Sequence, residues 1–197
     1  MIASLHMSLL GDFLLLAGET PLTVTVPRVQ SLLAYLVLHR SAPQDRSHLA
    51  FLLWPDSTEA QAHTNLRQFL YHLRQSLPYA NQFVFANKQS LHWHPVPEVA
   101  FSLDVEEFEQ ALAKAEQADQ VQDLAGVRQA LEQAIHLYRG DLFPSCYEEW
   151  IFPERERFHQ SFLQAAQRLL EILEQERDYA AAIKVASHLL LVYELYT

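Results

Sequence analysis

One stretch of the chain has residue types and spacing suited to reading a nucleic-acid surface. At about 100° per residue, Gln61, Thr64, Arg67, Gln68, Tyr71, His72 and Gln75 fall on one side of a helix, with no acid among them. In a major groove Arg can pair with guanine and Gln with adenine, while Thr and Tyr reach phosphate oxygens. The opposite side carries Leu66, Leu70, Leu73 and Leu77, with Phe69 at its edge. A polar outer face is also what any amphipathic surface helix shows, so the face by itself leaves both readings open. Arg74 lies nearer the apolar edge, where a packed guanidinium and a phosphate contact are equally good accounts. Arg46 and His48 begin the preceding helix, whose terminus in helix-turn-helix proteins approaches phosphate. Lys88 sits at the tip of a later hairpin, as a wing contact to the minor groove or backbone, or as a solubilising turn lysine.

Other chemistries find little material. His92 and His94 share a strand face, and His63 and His72 a helix, but no four-ligand set with zinc spacing appears, so no metal is expected. Glu148-Glu149 and Glu154-Glu156 read as solvated helix faces rather than paired catalytic carboxylates. With only four glycines there is no phosphate-binding loop, and no nucleophile elbow or Cys-His pair is present. Neither an enzyme nor a cofactor is expected.

The elements that must position these residues follow from periodicity. Leu9 to Leu16 and Leu22 to Val26, separated by Gly18 to Pro21, predict an N-terminal β-hairpin or small meander. Arg28 to His39 predicts a helix started by Pro27, with Val29, Leu32, Leu33, Leu36 and Val37 inward. Ser41-Ala42-Pro43 breaks it. A second helix runs from Asp45 or Arg46 to Leu53 and ends at Trp54-Pro55. The third starts near Ser57 or Thr58, which can cap it, with Glu59 at its positive end, and stops before Pro78. Phe83 to Phe85 and Leu91 to His94 flank a turn-forming stretch and predict a second hairpin. Strands, three helices and a hairpin, in that order, predict an α+β winged helix-turn-helix over 1–97.

Beyond Phe101 the pattern is helical throughout: Asp104 to Gln117, Leu124 to Tyr138, Pro153 or Glu154 to Gln175, and Asp178 to Tyr193. In the last of these, Tyr179, Ala182, Ile183, Ala186 and Leu190 form the expected buried stripe. Paired helices with small residues at the crossings predict an all-α domain over 98–197 resembling tetratricopeptide units, whose repeat is about 34 residues.

Charge divides along the same line. The whole chain, 197 residues long, carries a formal net charge of −10. Residues 1–97 hold six Lys or Arg against five acids, and the remainder eight against nineteen, giving +1 and −11. The acidity that would oppose a nucleic acid therefore belongs to the second domain. A single cysteine, Cys146, cannot form an internal disulfide, so the cytoplasm is the default location. The run from Leu9 to Ala17 is broken by Gly11 and Asp12, lacks a basic leader and is too short to span a bilayer, so neither a signal peptide nor membrane association is expected.

The stretches Leu32 to His39, Arg46-Ser47-His48-Leu49, Leu53-Trp54-Pro55-Asp56, Asn65-Leu66-Arg67-Gln68 and Leu73 to Leu77 resemble the DNA-binding domain of the Streptomyces antibiotic regulatory protein (SARP) family. That domain is a winged helix of the OmpR/PhoB type. Tyr138-Arg139-Gly140-Asp141-Leu142, Glu149-Trp150, Pro153 to Arg157 and Asp178 to Ala182 resemble the family's bacterial transcriptional activation domain. The resemblance implies a regulator that binds double-stranded promoter DNA through Arg46, Thr64, Arg67, Gln68, Tyr71, His72, Arg74, Gln75 and Lys88. It implies contact of the Asp56, Ser57 and Glu59 loop with RNA polymerase subunits, and a homodimer or oligomer on direct repeats. Where the family continues past its fourth helix, this sequence reads Val192 to Thr197, so the helical array is expected to be cut short. The alternative is a tetratricopeptide-like protein-interaction module with a degenerate winged helix.

Overall fold

The computed structural model describes residues 4–77 and 79–194. Pro78, the expected stop of the third helix, and residues 195–197, at the expected end of the array, lie outside the described residues. By contacts the chain forms two units: Met1–Met7 with Leu14–Phe101, and Ser8–Phe13 with Ser102–Thr197. The segment Ser8–Phe13, which sequence reading keeps within 1–97, thus packs in the helical unit.

The first unit begins with β1 Ser4–Ser8, β2 Leu14–Ala17 and β3 Thr20–Pro21, followed by α1 Pro27–Leu38, β4 Gln44–Asp45, α2 Arg46–Leu53 and α3 Glu59–Ser76. A short 3-10 turn over Ala80–Gln82 then leads to β5 Val84–Ala86 and β6 Ser90–Trp93, and β7 Ala100–Leu103 closes the series. One sheet has the order β3-β2-β1-β7 and the other β4-β6-β5. The expected strand from Leu22 to Val26 is not formed. Pro21 has no amide to extend the ladder, and Val24 is buried while its carbonyl accepts from Gln30 Nε2 at 2.7 Å, so the segment runs irregularly into Pro27. The apolar run from Leu9 is likewise interrupted at Gly11, whose φ of +105° favours glycine.

Local chemistry sets the helix starts. Pro27 occupies the first turn of α1, Asp45 caps α2 by accepting from the Ser47 and His48 amides, and Thr58 caps α3 by accepting from the Gln61 amide. Leu32, Leu33, Leu36, Leu49, Leu66 and Leu73 meet in a core with Leu91 and Trp93 of β6. Trp54 is part of this core, with the Phe69 ring 5.0 Å from its own and Arg28 above it. The wing pairs Val84 with Trp93, Phe85 with His92 and Ala86 with Leu91, and β4 joins its other edge through Gln44 to Leu91 and Asp45 to Ser90.

The second unit contains α4 Asp104–Gln120, α5 Leu124–Leu137, α6 Ile151–Gln175 and α7 Tyr179–Glu194, each packed on the next. The four helices fall where periodicity puts them, in an all-helical, tetratricopeptide-like domain. The connection between α5 and α6 is fixed by Arg155, which donates to the carbonyls of Leu142, Phe143 and Cys146 at 2.8 to 3.1 Å. Tyr138 stacks on Phe162 at 4.2 Å, and desolvation, reinforced by Asp141, pushes its hydroxyl pKa up. Arg128 gathers Glu132, Glu176 and Asp178, tying α5 to the turn before α7, and hydrogen bonding to Arg128 holds the Asp178 carboxyl below its usual range.

The expected buried stripe of α7 is corrected. Tyr179, Ile183 and Leu190 are 61 to 66% exposed, Ala186 is exposed and Ala182 half-buried; Val185 and Val192 are the buried residues. His188 fixes this rotation, with Nε2 2.7 Å from the Tyr138 carbonyl and its ring edge-on to Phe162. The face chosen from periodicity lies about 130° round the helix from the one that packs.

Candidate nucleic-acid interface

The polar face of α3 is solvent-facing in the structure. Gln61, Thr64, Arg67, Gln68, Tyr71, Arg74 and Gln75 are exposed, and His72 is half-buried beside the rings of Phe69 and Tyr71. Leu66, Leu70 and Leu73 hold the opposite side in the core, so the helix presents this face as a rigid ridge.

Its internal bonds involve neutral partners. Arg67 Nη2 donates to Thr64 Oγ1 at 3.1 Å, and that hydroxyl donates to the Ala60 carbonyl at 2.9 Å. Gln61 donates to Asn65 at 2.9 Å. Among the described residues no ion pair is recorded for Arg46, Arg67 or Arg74. These three converge from two helices: burial, then the charges of Arg67 and Arg74, hold the Arg46 pKa below its ordinary value. A group of cations without carboxylate partners is suited to an external anion such as a phosphate.

Two further positions frame the face. Lys88 is exposed at the turn of the wing. Arg46 Nη1 donates to the Asn87 carbonyl in that same turn at 2.9 Å, a contact across 41 residues that no local pattern announces. Its signal, if any, is the neighbouring Asn87, a residue that closes turns through its own side chain. In the loop before α3, Asp56 is exposed and Ser57 half-buried, and Glu59 at the start of the helix is exposed; of Ser57 and Thr58, the cap is Thr58. Two exposed apolar side chains also escaped sequence reading, Phe51 on α2 at 69% and Phe85 on β5 at 61%.

Several of the remaining histidines and acids are held by other parts of the chain. His92 Nε2 lies 3.0 Å from the Arg40 carbonyl with its ring stacked on His94, and His63 is 3.8 Å from Glu59. Glu154 pairs with Arg157, and Glu156 accepts from Gln160. Among the described residues no group of three or more His, Cys, Asp or Glu could hold a metal ion, and no helix is long and apolar enough to cross a membrane.

Comparison with known proteins bears on both units. Residues 103–195 match the family described as bacterial transcriptional activator domain. A solved structure of Mycobacterium tuberculosis EmbR, in complex with a low affinity phosphopeptide, superposes with a TM-score of 0.78 at 19% sequence identity. The match covers 94% of this chain and 49% of that one, so the chain spans about half the length of that relative. No curated protein matches the chain. The fold likeness extends over the winged helix as well as the helical unit. Residues 103–195 thus match a bacterial transcriptional activator domain, and the unit before them shares the fold of the corresponding part of EmbR.

Proposed function

We propose that the chain is a cytoplasmic transcriptional activator that binds promoter DNA through α3, with Lys88 of the wing as a flanking backbone contact. The observation that carries this reading is the exposed, acid-free face of α3, on which Arg67 and Arg74 lack carboxylate partners. Arg67 and Gln68 are the base-reading pair; Thr64, Tyr71, His72, Arg74 and Gln75 supply phosphate and edge contacts, with Arg46 beside them at the start of α2. The Asp56, Ser57 and Glu59 loop offers an acidic surface to RNA polymerase, and the helical unit serves dimerisation or contact with the transcription machinery. A DNA unit with a formal charge of +1 binds one site modestly; a homodimer or oligomer on direct repeats gains affinity by avidity.

A salt-titrated gel shift with the DNA upstream of the protein's own coding sequence tests this. Wild-type protein is expected to retard the fragment and to lose it steeply with salt. Changing Arg67 and Gln68 to Ala should weaken specific binding by about 10- to 100-fold, the loss of one or two base contacts at about 1–3 kcal/mol each. A second reading, a protein-interaction module with a degenerate winged helix, is favoured by the apolar face of α7. It takes over if wild-type protein retards no fragment at low salt.

A further inference from the structure

The wing turn is fastened to the start of α2 by one residue acting twice. The Arg46 amide donates to the Gln89 carbonyl at 2.9 Å, and Arg46 Nη1 donates to the Asn87 carbonyl at 2.9 Å. The turn between them is closed from inside: Asn87 Oδ1 accepts from the Gln89 amide at 2.8 Å and the Ser90 amide at 2.7 Å, and the Asn87 amide donates to the Ser90 carbonyl at 3.0 Å. Beneath it, Asp45 pairs with Ser90 in the sheet and caps α2. Lys88 rides on this turn as its exposed cation, and among the described residues no bond is recorded for its ammonium group.

We propose that Arg46 is a positioning residue for the wing, holding the Asn87–Gln89 turn against α2 so that Lys88 meets the DNA backbone at a fixed offset from Arg67. This rests on the DNA-binding reading above and deepens it. The chemistry favours a structural role for the Arg46 side chain. A guanidinium that faces two like charges and has no carboxylate is held in place by a carbonyl, and that carbonyl belongs to the wing. Without the tether, ordering of the turn falls on the duplex, and the Lys88 contact is offset by that entropy.

The test is a double-mutant cycle on DNA binding, read as affinity and salt slope with a labelled 30-base-pair duplex from the DNA upstream of the coding sequence. One phosphate contact corresponds to a slope of about 0.9, or about fivefold in affinity near 0.15 M salt. K88A is therefore expected to weaken binding about fivefold and reduce the slope by about one. R46A should do the same, and the double variant should be no worse than either single one, because Arg46 acts through Lys88. Independent effects, about thirtyfold in the double variant with a slope loss near two, overturn the proposal and make Arg46 a phosphate contact in its own right. N87A keeps the Arg46 charge while loosening the same turn, so it should show the same coupling to Lys88 and serves if R46A folds poorly. Amide exchange supplies a readout without DNA: Gln89 and Ser90 should exchange faster in R46A and not in R67A, and unchanged rates also overturn the proposal. If wild-type protein binds no duplex at low salt, the DNA-binding reading itself fails and takes this proposal with it; additivity with intact wild-type binding removes the proposal alone.

Discussion

Asp104 is the one charged residue fully buried among the described residues, at 6% exposure. Its carboxylate accepts from the backbone amides of Leu9, Leu10 and Val105 at 2.8 to 2.9 Å. The first two come from 94 and 95 residues earlier in the chain, so a single side chain at the start of α4 satisfies donors that no helix or sheet ladder would reach. Asp104→Ala leaves three amides without their acceptor, at a cost of about 3 kcal/mol. Urea unfolding followed by circular dichroism should show a lower midpoint for D104A, with D104N in between because its carbonyl oxygen still accepts. Equal midpoints for D104A and wild type would remove Asp104 as an anchor. The Tyr138-Arg139-Gly140-Asp141-Leu142 motif works similarly at the level of single bonds: the Gly11 amide donates to the Asp141 carbonyl at 2.9 Å, and Leu10 bridges Leu142.

At the scale of elements, α3 to α6 were legible because each has one dominant apolar stripe, and that stripe is largely the buried one, while α1 is buried on nearly every side. Helix α7 was not, because it is apolar on more than one side. Periodicity finds Tyr179, Ile183, Ala186 and Leu190 at helical spacing, yet Val185, His188 and Val192 form an equally regular set. The choice is made by tertiary contacts, through the Tyr138 carbonyl and the Phe162 ring. The same limit hid β4 and β7, short strands whose partners lie far along the chain. The polar face of α3 was readable in full, since its residues are local; the Arg46 tether to the wing was not, since it is decided by folding. The packing of α7 yields a direct prediction. Replacing both Ile183 and Leu190 by Glu should leave thermal stability within about 1 kcal/mol, as for exposed positions. Replacing Val185 by Asp should cost about 3 kcal/mol or more, because it buries a carboxylate without a partner. The reverse order in a thermal melt would return the helix to the rotation that periodicity alone suggests.

For the whole molecule, a domain here is not a continuous stretch of sequence. Charge separates the chain into a nearly neutral part and an acidic one, and the helical pattern begins beyond Phe101, so a cut at Pro97 looks natural. Yet the helical unit includes Ser8–Phe13, in which Leu9 and Leu10 are at most 1% exposed and Phe13 lies 5.5 Å from Phe143, ring to ring. Composition cannot reveal this, because six residues change no average and their partners lie more than ninety positions away. A fragment of residues 98–197 would keep every helix but lose the strand piece that completes it. Burial of Leu9 and Leu10 alone contributes roughly 3–6 kcal/mol, a large share of the stability of a domain this size. The fragment should therefore show faster amide exchange in α4 and in the 138–150 connection than the same residues in the full chain, and unfold at lower urea. Matching exchange rates would mean that the acidic unit is complete without its N-terminal piece. Slower exchange only in the full chain would mean that the second unit is completed by Ser8–Phe13, a piece of sequence inserted between Met7 and Leu14 of the first.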